Sequence, residues 1–135
     1  MTPKTVGGIV LAVLVALGAG WVWGASGKST VDQERRRLEQ SADYESARAN
    51  LLDGRVSLFL NNFGDASKHF EHARIALEAL QGQLREVGKA ERAGRIEIVL
   101  SNVKDAQRLA ALLDANAQNA AAAALQALSA VGLSE

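Results

Sequence analysis

The chain has 135 residues, 48% of them apolar, with fifteen Lys and Arg balanced by fifteen Asp and Glu and no Cys. The even charge removes the basic excess with which nucleic-acid binders neutralise phosphates, and the lack of Cys excludes disulfides, thiolate metal sites and cysteine nucleophiles. Outside the uncharged run Val6 to Ala25, the remaining residues set a ceiling of one small domain.

As a helix, that run spans about 30 Å, the hydrocarbon thickness of a bilayer, and it is longer than the ~7 to 15 apolar residues of a secretory signal core. The sequence therefore predicts a transmembrane anchor over about 6–25, within an N-terminal segment 1–29. Trp21, Trp23 and Lys28 fall where the helix would leave the bilayer, the depth at which amphipathic indoles and snorkelling lysines settle. Gly8, Ala12, Ala16, Gly20 and Gly24 recur every four residues, a stripe of small side chains over which a neighbouring membrane helix could pack closely. Lys4 ahead of the run is the pattern of a signal anchor with its tail inside, which puts the following domain on the extracytoplasmic, periplasmic side of the cell membrane. Lys28 and Arg35 to Arg37 after the run argue the reverse orientation. Gly27-Lys28-Ser29-Thr30 imitates the end of a phosphate-binding loop, but Val22 stands where that loop needs its first glycine.

From residue 31 onward the apolar periodicity is helical. Leu38, Ala42, Ala49, Leu52, Val56, Phe59 and Phe63 follow three-and-four spacing, with Glu45 at the skipped step, and the rhythm returns in Phe70, Ala73, Leu77, Leu80, Leu84 and Val87. Between them Asn62 can cap a new helix, with Asp65 at its third position near the positive end of the dipole. Gly88 offers a C-cap, and an Ala-rich last helix is expected from about Val103 to Val131.

Residues 53–66 can be laid over 93–106. Gly54, Arg55, Leu60, Asn62, Asp65 and Ala66 coincide with Gly94, Arg95, Leu100, Asn102, Asp105 and Ala106. Two repeats of forty residues follow, about 41–80 and 81–120, each a helical hairpin that must stack on the other to bury its apolar face. Gly54, Phe63, Ala66, Phe70 and Ala73 match in position and type the small, aromatic and alanine series of the tetratricopeptide (TPR) repeats, which this region resembles; Gly94, Val103 and Ala106 carry the likeness into the second unit. Asp53 and Ser57 depart from the pattern, no proline closes either unit, and the period is 40 rather than 34. The resemblance implies a groove lined by Arg55, Arg95, Leu51, Leu58 and Ile98, in which two guanidinium groups could recognise carboxylates. Each arginine could equally pair with an acid of its neighbouring helix.

The expected fold is thus all-α: an anchor helix, then over 30–135 a bundle of about four helices made from two tandem TPR-like hairpins. His69 and His72 lie three apart on one helix, but no second element supplies the carboxylates and histidines of a di-metal site. No catalytic set, cofactor or small-molecule substrate is expected, so the sequence points to a non-enzyme. Its expected partners are other membrane protein subunits and the lipid bilayer, and its expected role is an accessory, assembly or stabilising subunit of a membrane complex. A tethered peptide-binding adaptor or chaperone-like module is the alternative.

Overall fold

The computed structural model describes the backbone of residues 3–132 and the side chains of residues 29–132. Four helices follow one another: α1 (Pro3–Phe59), α2 (Phe63–Glu86), α3 (Ala90–Ala111) and α4 (Ala117–Val131). The chain divides into two compact units, Met1–Arg37 and Leu38–Glu135. The second holds the hydrophobic core.

That core is written in four registers of alternating three and four. α1 contributes Ala47, Leu51 and Leu58, with Gln40 and Gly54 buried in the same series. α2 contributes Ala66, Phe70, Ala73, Leu77, Leu80 and Leu84; α3 contributes Ile96, Val99, Leu100, Val103, Ala106 and Ala110; α4 contributes Ala117, Ala121, Ala124, Leu128 and Val131. Such spacing keeps each apolar stripe facing its neighbours along the whole helix, which is how a four-helix bundle packs.

Side-chain links between the helices fix their order. Gln83 Nε2 of α2 donates to Asp43 Oδ2 of α1 at 2.7 Å, and Gln107 Nε2 of α3 donates to Glu71 Oε2 of α2 at 3.0 Å. Arg92 of α3 donates to the Gly132 carbonyl just beyond α4 at 2.9 Å, and the Tyr44 hydroxyl of α1 donates to the Leu128 carbonyl of α4 at 3.3 Å. α4 therefore closes back on α1, and the residue pairings run antiparallel at each step, giving up-down-up-down topology.

Three of the helices end in one way. Asn62 N–H bonds to Ser57 O and Asn61 N–H to Leu58 O; Lys89 N–H bonds to Leu84 O and Gly88 N–H to Arg85 O; Asp114 N–H bonds to Leu109 O and Leu113 N–H to Ala110 O. Each is a Schellman motif, with Asn61 (φ 58°), Gly88 (φ 75°) and Leu113 (φ 57°) in the left-handed position.

Three expectations need correction. Among the described residues no helix is long and apolar enough to cross a membrane, which overturns the architecture of a transmembrane helix ahead of the bundle. The described part of α1 carries Asp32, Glu34, Arg35, Arg36, Arg37, Glu39 and Asp43 in close succession, a density of charge no bilayer core accommodates. The side chains of Gly8, Ala12, Ala16, Gly20, Gly24, Trp21, Trp23 and Lys28 lie outside the described residues.

The two tandem TPR-like hairpins are corrected next. Residues 60–62 form the turn between α1 and α2, whereas their counterparts 100–102 lie inside the unbroken α3. Asn61 tolerates the left-handed backbone that the first turn needs, while Ser101 has no such preference, so the second segment simply continues as helix. Finally, the expected single helix from Val103 to Val131 is broken over Leu112 to Asn116, where Asp114 Oδ1 accepts the Asn116 N–H at 2.8 Å.

Candidate functional site

The apolar stripe that the sequence displays most clearly on α1 is not in the core. Leu38, Leu52, Val56 and Phe59 are 63%, 43%, 58% and 80% exposed, and Ala42 and Ala49 between them are exposed as well. The bundle is instead served by the opposite face, where Gln40, Ala47, Leu51, Gly54 and Leu58 are buried and Tyr44 is half-buried. α1 from Leu38 onward thus has two apolar faces, one occupied and one open. An open run that carries Leu38, the small Ala42 and Ala49 with Glu45 between them, and then the large Leu52, Val56 and Phe59 is more than the scattered surface apolar residues that any soluble fold shows.

At its C-terminal end the stripe borders a groove of about 280 Å³ lined by Leu52, Arg55, Val56, Phe59 and Gln118. One wall is held by a reciprocal pair between α1 and α4: Arg55 Nε donates to Gln118 Oε1 at 3.4 Å, and Gln118 Nε2 donates to the Arg55 carbonyl at 3.0 Å. Arg55 is half-buried and anchored, which fixes the groove's shape. Leu60, Leu112 and Leu113, all exposed in the turns at the ends of α1 and α3, add further apolar surface to the molecule.

The groove implied by the TPR resemblance does not form. Leu51 and Leu58 are core residues, because they share the helix face of Ala47 and Gly54. Ile98 is exposed on α3, and Arg95 on the same helix pairs with Glu91 at 3.6 Å. Arg55 lies beside the groove at the end of the stripe, and its partner is the neutral Gln118. The two guanidinium groups are not stacked, since the residue equivalence that aligned them is not an equivalence of conformation.

His72 is exposed and His69 half-buried, with its Nδ1 enclosed and without a hydrogen-bond partner. Among the described residues no group of three or more His, Asp or Glu side chains converges to hold a metal. The strongest polar cluster is Glu71 with Arg74 and Gln107. Arg74 donates to both Glu71 carboxylate oxygens and, through Nη1, to Glu78 Oε1 at 2.7 Å. The bonds from Arg74, and then from Gln107, hold the Glu71 carboxyl down at about 2. This is a clasp between α2 and α3. At the opposite end of the bundle, a cavity of about 590 Å³ is bordered by Lys89, Glu91, Arg92, Arg95, Ser129 and Gly132. Its arginines are engaged, Arg92 with the Gly132 carbonyl and Arg95 with Glu91.

The open stripe was visible in the sequence as a stripe, but its openness was not. The informative signal was the second, fainter series Gln40, Tyr44, Ala47, Leu51, Gly54 and Leu58, which competes for the core and contains a single large aliphatic pair. No protein-family model, no characterised protein and no solved structure matches this chain.

Proposed function

We propose that the chain is a non-catalytic protein-interaction module, an accessory or assembly subunit whose bundle holds α1 rigid and offers its open apolar face to a protein partner. The observation that supports this most is the exposed run Leu38, Ala42, Ala49, Leu52, Val56 and Phe59 on a helix whose opposite face is already buried. Large apolar side chains kept in water gain roughly 25 cal/mol for every Å² that a partner covers. A helix face in a fixed frame adds little ordering cost when it binds.

Leu52→Glu combined with Val56→Glu tests the reading. Both side chains are solvent-facing, so the bundle should keep its circular dichroism spectrum and melting temperature, while association measured by affinity capture with purified partner should fall at least about a hundredfold. Unchanged association would remove the stripe as the binding face. A peptide-binding adaptor or chaperone-like module with transient partners is the second reading, favoured by the groove between Leu52, Arg55, Val56, Phe59 and Gln118. Binding that dissociates within seconds and is lost in Gln118→Ala would select it.

A further inference from the structure

The buried positions of α3 end on Val103, Ala106 and Ala110, and those of α4 begin on Ala117, Ala121 and Ala124. A turn between separately packed helices leaves their phases free, yet Ala110 and Ala117 stand two turns apart on the face of one uninterrupted helix. Leu113 is the stripe position between them, and it is 71% exposed. The break that leaves it out is slight. Leu112 keeps a φ of −89° and Asn116 one of −64°, and Leu113 is the residue of this turn with a left-handed φ, 57°. No Gly or Pro lies between 103 and 131, so no permissive residue eases the turn and no missing N–H stops a helix from running through it.

We propose that α3 and α4 straighten into one helix over 90–131 and that two copies of the chain exchange their α4 segments, each filling the place the other vacates. The two long helices of such a pair run antiparallel, as α3 and α4 do within one copy. The two-fold axis that relates them stands perpendicular to their common plane, which puts both bundles on the same side of it. Each long helix therefore has to present a single face to its own bundle and to the other, and the in-phase stripe does so. The bond from Arg92 to the Gly132 carbonyl sets the pairing register, whose midpoint falls at Leu112. The exposed Leu112 and Leu113 of the two copies then meet where the helices cross.

α4 is the helix that leaves most easily, because alanines make up most of its buried face and lifting it bares little apolar surface. Its links to the bundle, from Tyr44 to the Leu128 carbonyl, between Arg55 and Gln118 and from Arg92 to the Gly132 carbonyl, all re-form with the incoming α4. The hinge is what changes. A leucine is released from the left-handed region, and the leucines on either side of the crossing leave water. Opposing this are the freedom lost on association and the bond from the Asn116 N–H to Asp114 Oδ1, at 2.8 Å, that holds the closed turn. The open face of α1 takes no part, so the exchange stands independently of the role proposed for that face.

The chain has no cysteine, so introduced thiols report on contacts without background. In the full chain carrying Arg55→Cys and Gln118→Cys, the two thiols replace side chains bonded between α1 and α4. Refolded from urea at high concentration, this chain should give a dimer by gel filtration that a short bis-maleimide fixes, under denaturing conditions, at twice 14.3 kDa, while the monomer fraction is fixed as single chains. Leu113→Gly relaxes the closed turn and weakens the straight helix, so it should lower the association constant at least about tenfold. Asp114→Ala with Asn116→Ala removes the side-chain bond of the turn and favours the helix, and should raise the constant by roughly tenfold. Absence of a dimer in both the parent chain and the Asp114→Ala, Asn116→Ala variant overturns the proposal. So does a dimer whose cross-linked chains separate as single ones, since that is association without exchange. A Leu113→Gly chain that dimerises as well as the parent overturns the hinge as the driving element.

Discussion

Phe70 sits at 0% exposure in the core, and a Cβ built on Gly54 would lie 2.5 Å from its Cε1. The ring therefore occupies the space that a side chain on α1 would claim, and Gly54 is there for close approach, its helical backbone needing no special conformation. Gly54→Ala has to displace a fully enclosed ring and is expected to destabilise the bundle by about 1–3 kcal/mol in urea denaturation. Gly94, its counterpart in the sequence repeat, has nothing within 4 Å of such a Cβ, so Gly94→Ala should be neutral or stabilising through helix propensity. Equal losses at the two glycines would contradict the packing.

Glu71 makes a second residue-level prediction. Its carboxyl titrates at about 2 in the folded chain, against an ordinary value of 4.5, because Arg74 and then Gln107 bond its charged form. A depressed folded value means that the contribution is complete above pH 4.5 and is lost as the pH falls through about 2. Glu71→Gln should be less stable than the parent at pH 7, with the gap closing between pH 5 and pH 2. An equal gap at pH 7 and pH 2 would show that the charge is not what the clasp uses.

Among the elements, the helix ends carry most of the specification. Asn62 Oδ1 accepts the Asp65 N–H at 3.3 Å and its Nδ2 donates to Asp65 Oδ2 at 2.6 Å, so the α2 N-terminus has the cap its sequence announces. Asn62→Ala should cost about 1 kcal/mol. Asn102→Ala, at the repeat-equivalent position inside α3, should cost nothing, because no helix begins there. Leu113 stands where Asn61 and Gly88 stand in the other two motifs, yet a leucine has no ease in the left-handed region, and its side chain is 71% exposed. Leu113→Gly should raise stability by about 1 kcal/mol, read as a higher denaturation midpoint. A fall would mean that the exposed leucine contributes a contact worth more than the backbone strain it carries.

For the whole molecule, the compact unit beginning at Leu38 contains every buried apolar residue of the bundle. Residues 38–135 alone should therefore give a cooperative, strongly helical unfolding transition by circular dichroism; a broad, non-cooperative melt would show that the core is incomplete without the preceding residues. The same scale explains what could be read in advance. Helical periodicity, the Asn62 cap and the Gly88 stop are local properties, since each depends on backbone geometry within one turn, and they were legible from residue types alone. The all-α class followed from them. Three matters were decided only by tertiary structure. Which face of α1 is buried depended on Phe70 finding Gly54, a long-range fit that let a modest series of Ala47, Leu51 and Leu58 displace the more apolar Leu52, Val56 and Phe59 from the core. Whether the repeat of residues 53–66 in 93–106 meant a repeated hairpin depended on the backbone at Asn61, which turns, and Ser101, which does not. The break at Leu113 was hidden because leucine has no preference for the left-handed backbone it adopts there, and Asp114 and Asn116 just after it are weak stops inside an otherwise apolar helical rhythm.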